Sequence, residues 1–264
     1  MAKDKNENGK RAYSAPALEK GLDIVELLAG EPHGLSLTEI AQKLDRSVGQ
    51  IFRMLFVLEQ RGYLKIDPAS ENYLLSFRLF ELAHRHTPIK RLSAAAGPVM
   101  RSLARRLHQS LHVGVYYRGR CIVMVQQASP GPTGFNVRLG AEIQLLKSCS
   151  GHVLLAFSDD ETRERMLSEA PPADRKLIAK KDLKGLLAKI RDQGFECMDS
   201  KVTLGVKDIG FPVYDFDNQV VAALTCPFLQ RIDGSNPVDL VEATKLIGES
   251  ATAISQGLGH LDSH

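Results

Sequence analysis

The stretch Ser36 to Gly62, SLTEIAQKLDRSVGQIFRMLFVLEQRG, carries two helix starts in quick succession. Ser36 stands three before Glu39 as a capping box, in which the serine hydroxyl takes the third backbone N–H and the glutamate takes the serine's own. Ile40, Ala41 and Leu44 then form a short apolar stripe, which predicts a helix of about two and a half turns. Asp45 and Arg46 separate it from Ser47, which stands three before Gln50 as a second capping box. Ile51, Leu55 and Leu58 line one face of the following helix up to Gly62, a stop signal. With that face turned inward, Ser47, Gln50, Phe52 and Arg53 fall on the outer, N-terminal part.

Working upstream, Pro16 sits early in a stretch where Leu18, Leu22, Val25 and Leu28 recur at helical spacing until Gly30, with Ser14 available as a cap. Residues 1–13 hold Lys3, Lys5, Lys10 and Arg11 among small and polar residues and read as a flexible basic arm. Downstream, Tyr63 to Ile66 and Asn72 to Leu75 flank the turn formers Asp67 to Glu71 and predict a hairpin. Three helices and a hairpin in this order make a winged helix-turn-helix over residues 14–75. Such a unit sets its third helix in the major groove and its hairpin by the phosphate backbone. Gln50 suits adenine, Arg53 suits guanine or phosphate, and Phe52 suits a thymine methyl; Lys65, Lys10 and Arg11 suit phosphates.

Phe77, Phe80, Leu82 and Ala83 predict a linker helix over residues 76–88, ended near Thr87-Pro88. Leu79, Phe80 and Ala83 on it are candidates for a dimer contact and for transmitting a signal, or for ordinary packing. Beyond it, Ile89 to His108 reads as a helix that Gly97-Pro98 should break or kink. Leu111 to Tyr117 and Cys121 to Gln127 read as a hairpin about Arg118-Gly119-Arg120, and Gly134 to Leu139 as a further strand. Helices are expected at Gly151 to Phe157, Glu161 to Ser168, Asp182 to Asp192 and Val238 to Gln256, and paired strands at Ile209 to Tyr214 and Val220 to Cys226. The second domain, residues 89–258, is therefore expected to be α+β about a mainly antiparallel sheet flanked by helices, with residues 259–264 as a tail.

Composition limits the alternatives. The 264 residues are 44% hydrophobic and 25% charged, with a mean hydropathy of -0.14, the profile of a globular chain. An apolar run long enough to span a bilayer is missing, and Met1 to Arg11 is polar, which points to the cytoplasm. Cys121, Cys149, Cys197 and Cys226 are widely spaced, as reduced thiols would be. The net charge of +3 is small, and residues 1–90 carry 13 basic against 12 acidic residues. DNA binding must therefore rest on where a few cations sit. A protein-interaction module of the same shape remains open at this point.

The strings Ala17 to Leu28 (ALEKGLDIVELL), Leu37 to Ala41, Ile51-Phe-Arg-Met-Leu55 and Arg61-Gly-Tyr-Leu64 resemble the DNA-binding domain of the IclR family of bacterial transcriptional regulators. The resemblance runs on through Val137 to Gly140, Ser150 to Ala156, Gly205, Phe211 to Asp215 and Val220 to Leu224, over about residues 14–258. It implies a winged helix-turn-helix, a linker helix and a GAF-like effector domain, in homodimers or tetramers that bind palindromic operators on double-stranded DNA under control of a small metabolite. No cofactor or metal is implied. The effector-pocket positions carried over by the resemblance are Cys149, Ser150, Asp199, Asp208 and Thr225. A helix start at Ser150-Gly151 offers N–H groups to a carboxylate, suiting an organic acid or aromatic catabolite, whereas Asp208 favours a hydroxylated or sugar-like effector. The chain departs from the family at Gly49-Gln50, where a Ser-Thr pair is common, at Gly151-His152 in place of Gly-Lys, and at Asp208 and Thr225-Cys226-Pro227.

The rival class is an enzyme. Ser148-Cys-Ser-Gly-His152 brings a thiol, hydroxyls and an imidazole together in sequence, as a hydrolase or transferase nucleophile with its base would require. Neighbours at a helix start point in different directions, which argues against it. Of the histidines, His84 with His86 and His108 with His112 lack a cysteine cluster, and solvated or capping roles are expected rather than metal ligation.

Overall fold

A computed structural model describes residues 15–85, 87–131, 134–176 and 180–261. The chain forms two compact units, residues 1–86 and 87–264. The basic arm with Lys10 and Arg11, the proposed cap Ser14, His86 and the side chains of Ala83 and His84 lie outside the described residues.

In the first unit α1 (Pro16–Ala29), α2 (Leu37–Lys43) and α3 (Val48–Gln60) precede a two-stranded sheet of β1 (Leu64–Ile66) and β2 (Tyr73–Leu75). The Ser36–Glu39 capping box forms, with both reciprocal bonds. The one expected at Ser47–Gln50 does not: Ser47 occupies the N-cap position, but its hydroxyl makes no capping bond. Gln50 and Ile51 instead donate their backbone N–H groups to the Ser47 carbonyl. Ile24, Leu28, Ile40, Ala41, Ile51, Leu55 and Leu64 close on one another as the core. The antiparallel register sets Lys65 opposite Leu74, and Leu35 bridges to Tyr73, so the loop before α2 becomes a third short rung of the wing. Helix α4 (Arg78–Arg85) ends this unit, starting one residue after Phe77.

The second unit opens with α5 (Thr87–Leu107), which continues through Pro98 rather than breaking there. Ala96 and Met100, on either side of the proline, are both fully buried, and that packing holds the helix together where propensity would end it. Next come β3 (Leu111–Tyr117) and β4 (Arg120–Gln127), joined by Arg118 and Gly119, both with positive φ, as a two-residue type I′ turn demands. Gly134 to Leu139, expected as a strand, is irregular and ends in a turn at residues 139–140; the edge strand is the short β5 (Glu142–Gln144). Helices α6 (Cys149–Phe157), α7 (Asp160–Glu169), α8 (Pro172–Arg175) and α9 (Lys180–Gln193) lead to β6 (Glu196–Asp199), β7 (Val206–Tyr214), β8 (Val220–Leu229) and α10 (Leu240–Gly257).

The six strands form one antiparallel sheet in the order β5-β4-β3-β8-β7-β6. Side-chain alternation divides it cleanly. Leu111 and Val113, Ile209 and Val213, and Ala222, Leu224, Cys226 and Phe228 face α5 and α10 in the largest core. Ala223 and Thr225 face the other way, toward α6, behind which Leu155, Met166, Leu187 and Ile190 of α6, α7 and α9 pack together.

Leu55→Ala, a truncation at a fully buried position, is expected to destabilise the first unit by about 2–5 kcal/mol. Phe52→Ala, at an exposed position on the same helix, should change stability by no more than about 0.5 kcal/mol. Urea unfolding followed by circular dichroism separates the two.

Candidate functional site

Two places gather polar groups, the outer face of α3 in the first unit and the start of α6 in the second. In the first unit, Ile51 and Leu55 turn one face of α3 into the core, while Ser47, Phe52 and Arg53 are exposed and Gln50 is half-buried. Asp45, with positive φ, makes the turn between α2 and α3, and Arg46 donates its backbone N–H to Ala41 at 2.9 Å, which fixes the angle at which α3 leaves. Lys65 is exposed on the first strand of the wing. In the wing turn, the Ser70 backbone N–H and hydroxyl both donate to the Asp67 carboxylate. At its base the Ser76 hydroxyl donates to the Gly62 carbonyl.

The second place is the start of α6. Its N-cap is Ser148, whose hydroxyl accepts the Gly151 N–H at 3.1 Å. The helix therefore begins two residues earlier than expected, and the amides of Cys149 and Ser150 are the ones left without an intrahelical acceptor. Strand register sets His112 opposite Thr225, Thr225 opposite Gly210, and Gly210 opposite Glu196. These four residues form one row across β3, β8, β7 and β6, on the face that α6 covers.

Helix α6 meets this row at every rung, by hydrogen bonds at three and by close packing at Gly210. The Ser150 hydroxyl lies 2.8 Å from Thr225 Oγ1 and 3.1 Å from His112 Nε2. A Cβ on Gly210 would stand 2.6 Å from Cys149 Sγ, so only glycine lets the helix approach so closely. At the far end His152 Nδ1 is 2.8 Å from the Glu196 carboxylate, and its Nε2 is 3.1 Å from the Leu146 carbonyl. Burial by itself would lower the His152 pKa. The Glu196 carboxylate, through its hydrogen bond and charge, outweighs burial together with the Leu146 carbonyl and raises it. His112, expected to be a solvated or capping residue, is instead buried in the row. Burial lowers its pKa to about 4, so it is neutral, and its Nδ1 meets no partner among the described residues.

Of the five effector positions, Cys149, Ser150 and Thr225 thus meet in one buried cluster. Asp208 stands two pairs along from Gly210, between Met198 and Pro227 and on the same face. It is half-buried, and burial pushes its pKa up to about 6, against the lowering effect of a Ser200 hydrogen bond. Asp199 does not join them. It pairs with Lys207 on the opposite face, its side chain is 80% exposed, and Lys207 Nζ donates to it at 2.7 Å. Hollows of about 450 Å³ beside Arg106 and Glu242 and about 230 Å³ beside Phe211 and Gly248 are not lined by any of these five residues.

The nucleophile reading fails on this geometry. Both His152 ring nitrogens are taken, and the Cys149 thiol, which points at the Glu196 carbonyl, is held by burial well above the ordinary thiol range. Among the described residues no group of three or more His, Cys, Asp or Glu side chains could hold a metal ion, and no helix is long and apolar enough to cross a membrane.

Residues 17–68 match the IclR helix-turn-helix domain, and residues 86–256 match the bacterial transcriptional regulator IclR C-terminal domain. The transcriptional regulator KdgR of Escherichia coli K12 is 26% identical over 257 residues, covering 96% of each chain. An IclR homologue from Microbacterium hydrocarbonoxydans, solved in complex with 4-hydroxybenzoate, superposes with a TM-score of 0.74 at 20% identity, covering 92% of this chain and 98% of that one. The IclR protein of Thermotoga maritima superposes with a TM-score of 0.73 at 21% identity, with the same coverage.

Two outcomes test the site's construction. Gly210→Ala should destabilise the second unit by about 1–3 kcal/mol through overpacking against Cys149, seen as a lower melting temperature. Asp208 has its pKa raised on folding from about 3.8 to about 6, so its protonated form is favoured in the folded state and its stabilising contribution is lost as pH rises through that window. Asp208→Asn should therefore gain melting temperature relative to the parent between pH 4 and pH 7; a constant difference would contradict the burial of its charge.

Proposed function

Because the chain belongs to the IclR family of bacterial transcriptional regulators, we propose that residues 14–75 hold an operator while residues 89–258 bind the controlling metabolite, with residues 76–88 between them. The protein is a DNA-binding regulator with a C-terminal effector domain. Its relatives are regulators rather than enzymes, and it is assigned a regulatory role in the cytoplasm without catalysis.

The observation that carries the DNA reading is α3, with a buried inner face and the polar and cationic groups of Ser47, Gln50 and Arg53 outside it. Entering the major groove, Gln50 would pair with adenine, Arg53 with guanine or a phosphate, and Phe52 would meet a thymine methyl. Lys65 and the arm residues Lys10 and Arg11 would hold phosphates. With so few cations on each unit, binding requires two or more copies on a palindrome. Leu18 and Leu22 of α1 and Leu79 of α4 are apolar side chains left exposed in the first unit and suited to a contact in a homodimer or tetramer.

The effector is assigned to the start of α6. The amides of Cys149 and Ser150 would take a carboxylate at the positive end of the helix, and Asp208 on the neighbouring rung would accept a hydroxyl. The unpaired His112 nitrogen supports a polar ligand, since a buried group of that kind is costly to leave unmet. The chemistry is that of a small hydroxylated carboxylic acid, the class to which the 4-hydroxybenzoate held by the Microbacterium homologue belongs; Thr225 completes the wall. Asp199 has no part in it. The effector acts by preferring one arrangement of the DNA-binding units.

Fluorescence anisotropy with duplex DNA from upstream of the protein's own gene tests the reading. Binding is expected to fall steeply with salt, and Arg53→Ala should weaken it by about 1–3 kcal/mol. Unchanged affinity in the variant would leave a protein-interaction module as the better account.

A further inference from the structure

The outer face of α3 is more apolar than a helix set against phosphates requires. Val48, Phe52 and Phe56 follow one another at intervals of four residues, one above the next on a single ridge. Their exposures are 47%, 52% and 56%, so neither the core of the unit nor its wing covers them. At about 1.5 Å of rise per residue the ridge is about 12 Å long, a length that passes three or four base pairs at about 3.4 Å per step. Gly49 leaves open space beside Val48, since a Cβ there would meet nothing within 4 Å.

We propose that Val48, Phe52 and Phe56 form an apolar reading ridge that recognises thymine 5-methyl groups in the major groove, Phe56 being a specificity residue alongside Phe52. The inference rests on the assignment of α3 to the operator and extends it. Thymine is the base that offers an apolar group to the major groove, and an aromatic or aliphatic side chain is the complementary surface.

Charge selects DNA over a second protein as the occupant. From Val48 to Leu58 the helix carries no carboxylate, while Arg46 and Arg53 flank the ridge and are exposed, so the apolar strip lies in a cationic frame suited to a groove walled by phosphates. The same frame explains how residues 1–90, whose net charge is only +1, gain specificity: discrimination comes from methyl contacts that carry no charge. Each methyl buried is worth roughly fourfold in affinity, and a palindrome presents each contact twice.

The test uses the full-length protein. Its binding site is selected from a pool of random duplexes, and the recovered duplex is resynthesised with deoxyuridine at each thymine in turn, which removes the methyl and leaves the pairing edge intact. The expected result is a loss of roughly fourfold or more at one or more thymines of each half-site. Phe56→Ala, exposed and therefore neutral to folding, should abolish the thymine-over-uracil preference at one such position and Phe52→Ala at another. Equal binding of the thymine and deoxyuridine duplexes throughout would overturn the ridge while leaving operator binding in place. Recovery of no duplex at low salt would remove both. A Phe56→Ala variant that changes its oligomeric state and keeps the thymine preference would make the ridge a contact between copies, and so overturn it as well.

Discussion

The seating of α6 on the row His112, Thr225, Gly210 and Glu196 is the contact on which the second unit depends. Three conditions must hold together. Gly210 must lack a side chain so that Cys149 can lie against the strand; the hydroxyls of Ser150 and Thr225 must share a hydrogen bond beside neutral His112; and Glu196 must meet His152 at the other end. Each partner is buried, so removing one leaves another unmet. An abandoned buried carboxylate such as Glu196 would cost about 3–5 kcal/mol. This makes the position of the α6 N-terminus a two-sided quantity. It is held firmly by the sheet below, and the contacts proposed for an effector, the first amides of α6 and Asp208, belong to the same side of that sheet.

The first unit solves a different problem with the same economy of residues. Helix α3 anchors itself through Ile51 and Leu55, with Met54 and Leu58 packed beside them, and leaves Val48, Phe52, Arg53 and Phe56 exposed. Its outward face combines Arg53 with Phe52 and Phe56, and the chain as a whole carries only +3, so the proposed recognition does not rest on bulk positive charge. On the proposed reading one unit binds random DNA weakly and occupancy depends on assembly, the step an effector would bias.

Much of the fold was legible because local signals agreed with the tertiary answer. Ser36 with Glu39, the Ile51–Leu55 face, Gly62 and the Arg118-Gly119 turn each act through near neighbours. What escaped was set by distant partners or by lengths too short to show a period. The strands β5 and β6 have three and four residues, too few for alternation to stand out, and Gly134 to Leu139 imitated a strand that the edge pairing of Glu142–Gln144 supplies instead. Pro98 signalled a break that burial of Ala96 and Met100 overrides. Ser47 holds the N-cap by its backbone, a fact its sequence context could not separate from a full capping box.

The cluster at the start of α6 was legible in the sequence only in part. Cys149, Ser150 and Thr225 lie together, but His112 enters through a bond to a residue 38 positions away and leaves no trace in spacing. Asp199 stands apart because it lies three residues along β6 from Glu196, an odd step that puts it on the opposite face. The most direct measurement of the account is hydrogen exchange on the full-length protein, run with a panel of small hydroxylated carboxylic acids that are also scored for their effect on DNA affinity. A compound that alters DNA binding is predicted to slow exchange at the amides of Cys149 and Ser150 and along residues 206–210. A compound that alters DNA binding while leaving both segments unchanged would contradict the assignment of the effector to the start of α6.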